Sequence, residues 1–292
     1  MRGSHGAVVG LAAVAAFAWS VASVAVSAQS TAPRTPWGAP DLQGTWSFAT
    51  VTPLERPIDV TKEFLSAAEI ADVEKKAVIA ATDEARGGDA LRDVAGAYND
   101  FWWDRGTRVA GQRTSLIVDP KNGRIPPLTP EARKWADSAQ AQAIQVTRRG
   151  DLPAAGPEDT DLWDRCLTRS IPIVPGPYNN NIQIIQTETH VVVYHEMVHD
   201  ARIVPLNTQA AHPASVPQWF GSMRGRWEGD TLVVETRHIS SMQELPFEPR
   251  MPASGMALTE RFSRAPDGTL NYEFTVNDPK IYTRPWTAAL QM

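Results

Sequence analysis

The stretch with the densest chemistry is His190–Pro205, HVVVYHEMVHDARIVP, which holds three of the chain's six histidines and spells HExxH at His195–His199. On a helix, residues four apart share one face about 6 Å apart along the axis. His195 and His199 would then share one Zn²⁺, with Glu196 as the general base of a peptide hydrolysis. On a strand the same two histidines stand about 13 Å apart, too far for a single metal. The sequence favours the strand. Val191-Val192-Val193-Tyr194 is a β-branched and aromatic run, Ile182-Gln183-Ile184-Ile185-Gln186 is another, and Thr187-Glu188-Thr189 between them fits a hairpin turn. Arg202-Ile203-Val204 continues the extended pattern until Pro205 stops it. If residues 190–204 run as one strand, His195, Met197 and His199 point to one face, and Tyr194, Glu196, Asp200 and Arg202 to the other. The first face then carries two imidazoles that titrate near neutral pH, suited to moving protons.

Two further stretches hold groups suited to a ligand. Tyr98–Gly106, YNDFWWDRG, packs four aromatics, two acids and an arginine into nine residues. Rings supply apolar walls and carboxylates orient hydroxyls, which makes Trp102, Trp103, Asp104 and Arg105 candidates. A core corner in which Asp104 pairs with Arg105 or Arg108 is the competing reading. Tyr178-Asn179-Asn180-Asn181 follows a Pro-Gly-Pro turn. There Tyr178, Asn179 and Asn181 are candidate ligand-orienting groups, although asparagine runs also serve simply to satisfy turn backbone.

The elements that must position these groups begin after a leader. Arg2 precedes an uncharged Ala- and Val-rich run from Gly6 to Ala28, closing on Val26-Ser27-Ala28 before Gln29. This is the pattern of a secretory signal peptide cut after Ala28, which places the mature chain in the periplasm or outside the cell. The run is also long enough for an N-terminal anchor, the alternative reading. Losing Arg2 takes the formal net charge from −5 to −6. A mildly acidic mature chain argues against nucleic acid and anionic membrane surfaces as partners, and no stable membrane insertion is expected after cleavage. Cys166 is the only cysteine, so no intramolecular disulfide forms.

Gln29–Pro40 is rich in Pro, Ser and Thr and reads as an extended segment. One β-rich domain is expected over 41–292, with two helical insertions. The first, near 66–86, opens with the capping box Ser66-Ala67-Ala68-Glu69. The second, near 130–149, has Thr129 as N-cap and Pro130 at its first position. Thr114–Val118 reads as a strand before the turn Lys121-Asn122-Gly123. From 182 onward three hairpins follow: 182–186 with 191–196, 225–227 with 232–235, and 258–264 with 270–276. The alternation of Leu270, Tyr272, Phe274 and Val276 against Asn271, Glu273 and Thr275 marks one buried face. Successive antiparallel hairpins make a meander, hence a mainly β barrel or sandwich.

TPWGAPDLQGTW, YNDFWWDRGTR, RTSLIVDPKNGRIPPLT, PGPYNNN and RGRWEGDTLVVET together resemble an uncharacterised family of exported bacterial proteins, over most of the mature chain. That resemblance brings no reaction with it. Gly44-Thr45-Trp46 also resembles the G-x-W that opens the first strand of lipocalins and related calycin barrels, which implies a cavity serving either transport or catalysis. The HExxH spelling is similar to that of zinc metalloproteases, but Asp200 follows the second histidine and no clear third-ligand motif does. The leading expectation is an exported acid–base enzyme, a lyase, isomerase or hydrolase, acting on a small hydrophobic or aromatic ligand. His195, His199 and Asp104 would be catalytic; Tyr178, Asn179, Asn181, Trp102, Trp103 and Arg105 would bind. A non-catalytic lipocalin-like carrier of a small apolar ligand is the alternative, and a zinc protease the third. No cofactor is expected, and zinc only if 192–200 is helical.

Overall fold

The computed structural model describes residues 33–81, 103–148, 153–206 and 216–292, apart from 105, 161, 170, 217, 242, 244–245, 247–252 and 254. The leader, Trp102 and Arg105 lie outside the described residues. Among the described residues ten strands and three α-helices form, and the strands make two antiparallel sheets. The smaller sheet contains β1 (Gly44–Ser47), β3 (Asn181–Gln186), β4 (His190–His195) and β5 (Ala201–Pro205), in the order β1-β3-β4-β5. The larger contains β2 (Ile117–Asp119), β6 (Ser222–Glu228), β7 (Thr231–Arg237), β8 (Ala257–Arg264), β9 (Leu270–Asn277) and β10 (Trp286–Gln291), in the order β2-β10-β9-β8-β7-β6.

Consecutive strands pair antiparallel within each sheet, β3 to β5 in the smaller and β6 to β10 in the larger, and all three expected hairpins form: β3 with β4, β6 with β7, β8 with β9. The alternation in β9 is realised residue by residue, with Leu270, Tyr272, Phe274 and Val276 buried and the residues between them half-buried. Among the described residues the sheets do not close into a barrel. They meet where Leu206, just past β5, bridges Gly225 of β6. Glycine is required there: a Cβ on Gly225 would stand 2.8 Å from Leu206 Cδ2 and 2.9 Å from Val204 Cγ1.

One core lies between the sheets. It is filled by Ile182, Ile184, Val191, Val193 and Val204 from the smaller sheet and by Leu258, Phe262, Phe274 and Trp286 from the larger. An aromatic row runs through it, Phe262 to Tyr272 to Phe274 to Trp286, with ring centroids 4.8, 5.7 and 5.6 Å apart. A buried ion pair also crosses the core. Arg202 of β5 reaches Glu260 of β8 through Nη1 to Oε1 at 3.0 Å and through Nη2 to Oε2, and Tyr272 donates to the same Oε1 at 2.7 Å. The Trp46 indole sits under the Arg264 guanidinium at 4.9 Å and donates to the Leu42 carbonyl at 3.0 Å, fixing the start of β1.

The HExxH segment is not helical. His195 ends β4 paired with Ile182, and its N–H donates to the Asp200 carbonyl at 2.9 Å. Glu196–His199 then make a tight turn in which Val198 (φ 61°) and His199 (φ 43°) are left-handed, and β5 returns antiparallel. The expectation that 190–204 forms one strand is corrected: it is two strands and a turn. His195 is buried and His199 exposed, so they do not share a face. The helical i,i+4 geometry that a shared zinc needs is absent as well.

The first helix, α1 (Ala67–Ala80), carries the expected capping box with both bonds formed, Glu69 N to Ser66 Oγ and Ser66 N to Glu69 Oε2. The expected second helix is two, α2 (Pro130–Ala136) and α3 (Ala139–Arg148). The break falls at Asp137-Ser138, because Ser138 Oγ accepts the Ala141 N–H and so caps a new start. Residues 33–40, expected to be extended, close into a turn bridged between Arg34 and Pro40. Buried Gln186 ties that turn to β3 by accepting from Leu42 N at 2.6 Å and donating to Pro40 O at 3.0 Å.

Candidate functional site

At the end of β4 the chain buries a titratable group almost completely. His195 is 3 % exposed, and its Nε2 is buried without a hydrogen-bond partner. Burial, with the Arg202 guanidinium adding a smaller repulsion, pulls its pKa from 6.5 down to about 3, so the ring is neutral at physiological pH. Buried polar atoms normally find partners, which makes this nitrogen a candidate for contact with a ligand or with a water held in the adjoining pocket.

His195 lines a small pocket of about 20 Å³, enough for one water, together with Phe48, Arg169, Tyr178, Asn179 and Met197. The loop 168–180 builds the opposite wall. Ile171 and Ile173 anchor it in the core, and Ile173 N donates to the Tyr272 hydroxyl at 3.1 Å. Asn180, 1 % exposed, clasps its far end: Oδ1 accepts from Gly176 N at 2.7 Å, while Nδ2 donates to the carbonyls of Gly176 and Asp104. Trp163 gathers the side chains. The Arg169 guanidinium lies over its ring at 4.1 Å, the Tyr178 ring is 6.3 Å away, and its Nε1 donates to Met197 Sδ at 3.3 Å.

A second cavity of about 600 Å³ adjoins the first, sharing Arg169, Val174 and Gly176 with it. Its walls come from the segment after β1, Thr50–Leu54, and from Val174–Pro177, with Leu116 also lining it. The Thr50–Leu54 wall is pinned to 108–116: Val51 N donates to Arg108 O at 3.0 Å, and Ala110 N to Thr52 Oγ1 at 2.9 Å.

Of the residues singled out from sequence, the structure brings His195, Tyr178 and Asn179 together. Asn179 adopts a left-handed φ of 56°, which asparagine tolerates, and so turns toward the pocket. Asn181 does not join them: it donates to Glu196 Oε2 at 2.7 Å on the exposed side of the hairpin. His199 is exposed beyond the turn. Asp104 is exposed too and, among the described residues, meets the site through its backbone, with N donating to Pro177 O at 2.8 Å. Trp103 is 43 % exposed. Arg169, Trp163, Met197 and Phe48 were missed; only the position of Arg169 just ahead of the apolar, proline-rich run Ile171–Pro177 hinted that its guanidinium would sit against a buried wall.

Among the described residues no group of three or more His, Cys, Asp or Glu is placed to hold a metal ion. None of the described helices is long and apolar enough to cross a membrane. No protein-family model, curated protein or solved structure matches the chain.

Proposed function

We propose that the protein is an exported enzyme that binds a small, largely apolar ligand between the Thr50–Leu54 and Val174–Pro177 walls and performs acid–base chemistry at His195. The observation that carries this reading is the buried Nε2 of His195, left without a protein partner in a pocket of mixed polar and apolar lining beside a mainly apolar cavity. A neutral imidazole can accept a proton from a ligand or donate a hydrogen bond to it. Burial, and to a smaller extent Arg202, lowers the basicity of that ring, and a negative group entering the pocket would oppose the Arg202 field and restore the smaller part of it. Tyr178 and Asn179 supply polar groups to orient the ligand. Export rests on the leader: N-terminal sequencing of protein recovered outside the cytoplasm should begin at Gln29.

The test is a screen of activated esters, lactones, epoxides and enolisable ketones with the wild-type protein beside His195→Gln. At least one class should turn over, and the substitution should lower kcat by about 100-fold or more while leaving KM within a few-fold. Equal turnover by both proteins would sink the acid–base role. The mainly apolar lining of the larger cavity favours a second reading, a carrier, in which ligand binding persists in His195→Gln and no probe is transformed.

A further inference from the structure

A third cavity, of about 360 Å³, lies on the larger sheet and shares no lining residue with the two beside His195. Strand register builds its floor. Thr231, Ser263, Asn271 and Gln291 stand opposite one another as one row across β7, β8, β9 and β10, and Arg261, Glu273 and Ala289 form the next row. These positions alternate with Leu232, Phe262, Tyr272 and Leu290, which face the core, so their own side chains point outward. The rim is a tight turn. Gly111 (φ 55°) and Gln112 (φ 61°) are left-handed in succession, and Arg113 N donates to Ala110 O at 3.0 Å, which sets Arg113 at the cavity edge.

The charged groups of this lining are largely answered by the protein. Arg113 donates to Glu63 Oε1 at 2.8 Å and lies over the Phe64 ring at 4.8 Å. Arg261 donates to Glu228 Oε2 at 2.9 Å rather than to Glu273, its partner in register. An anion therefore finds both guanidinium groups engaged, and a cation at Glu273 meets Arg261 directly across the ladder.

The uncharged groups are different. Gln291 Nε2 donates to Asn271 Oδ1 at 3.2 Å, which turns the Gln291 carbonyl and the Asn271 amino group away from each other. Among the described residues those two ends, the Thr231 and Ser263 hydroxyls and the Glu273 carboxylate have no hydrogen-bond partner in the protein. Two of these five groups only accept, one only donates, and the hydroxyls do both. A ligand matching all of them must itself donate and accept at neighbouring atoms, which is what adjacent alcohol groups do. Many ligand cavities lie between about 300 and 1,000 Å³, and this one is at the small end of that range.

We propose that the outer face of β7–β10 is a second binding site, for a neutral saccharide whose hydroxyls bridge Glu273, Asn271, Ser263 and Gln291. The site is independent of the chemistry at His195, because the core separates the two and they share no residue. Rows of side chains on paired strands are held rigidly, which reduces the ordering cost of binding a weakly apolar ligand.

Amide chemical-shift titration of the ¹⁵N-labelled mature protein tests it with maltose, cellobiose and N-acetylglucosamine, with amylose as a polymer, and with inorganic phosphate and putrescine as charged probes. At least one free sugar should bind with a Kd of roughly 0.1–10 mM, more tightly than either charged probe. Binding of amylose as well would identify a polymer-borne sugar as the source, and its failure a free one; both outcomes support the site. Glu273→Val and Ser263→Val, which keep β-branched residues on the strand face, should each weaken that sugar about 10-fold or more, and His195→Gln should leave it unchanged. Absence of binding by every sugar overturns the proposal, as does tighter binding of phosphate or putrescine. Sugar binding that survives both valine substitutions overturns the placement on this face. The comparison among probes uses the wild-type protein, so a misfolded variant does not remove the test, and no outcome bears on the reading of His195.

Discussion

Glu260→Leu is expected to lower the unfolding free energy by about 3–5 kcal/mol, close to half the stability of an ordinary domain. Both side chains of the Arg202–Glu260 pair are 0 % exposed. Burial opposes the charge on Arg202, and the adjoining Glu260 carboxylate more than offsets it, holding the guanidinium pKa above its ordinary value. With the carboxylate gone, a buried cation loses two hydrogen bonds, and the Tyr272 hydroxyl loses the acceptor it now meets at 2.7 Å. The field of Asp200 remains as a weaker source of negative potential. Adding Arg202→Met to Glu260→Leu should recover most of the loss, since a buried ion pair replaced as a unit by apolar groups of similar volume is close to neutral. Urea unfolding midpoints of the two single variants and the double variant provide the cycle. A Glu260→Leu protein within about 1 kcal/mol of wild type would mean that water reaches the pair.

His195 should make the fold acid-sensitive in a window that can be named. Its pKa is 6.5 as an ordinary histidine and about 3 in the folded protein. Between those values the unfolded chain binds the proton and the folded chain does not. The contribution is therefore intact above about pH 6.5 and is lost as pH falls toward 3, at about 1.4 kcal/mol per pH unit. From about pH 7.5 to about pH 5 the wild type should lose about 2 kcal/mol more than His195→Leu does, because carboxylates elsewhere titrate alike in both proteins. At neutral pH the leucine variant should be the more stable by about 1–2 kcal/mol, since it replaces a buried nitrogen that has no partner. Chemical denaturation at a series of pH values measures both effects. Parallel curves for the two proteins would place His195 in contact with water, and the case for a pocket reserved for a ligand would go with it. A gain in stability on losing a group is the signature of a residue retained for function.

The sheets were legible because their cause is local. In β9 each residue's side is set by the pleat, so the written alternation LNYEFTVN reappears as alternating burial. The capping box of α1 is likewise a matter of three residues' spacing. The error over His199 came from extending that same parity through a turn. Val198 and His199 both take positive φ, which a β-branched valine rarely does, and nothing in VYHEMVHDAR marks the reversal except Asp200, whose carbonyl accepts the His195 N–H. Among the asparagines the sequence could not say which one faces inward: Asn180 is the buried clasp, Asn179 lines the pocket, and Asn181 goes to Glu196. Arg169 was hidden for a different reason. Its place is set by Trp163, Asp200 and Gly176, which it meets only after the 168–180 loop has packed on β9.

The pairing of β1 with β3 and of β2 with β10 bears on how the protein is made. β3 to β10 each pair with a sequence neighbour or lie beside one, whereas β1 and β2 emerge from the ribosome first and find their partners only after most of the chain has followed. They are also the strands that cover the outer edges of β3 and β10. Synthesis therefore delivers the two protective edges early and the surfaces they protect late. A chain released without its N-terminal half would complete the meander and leave both flanks open to pairing with other chains.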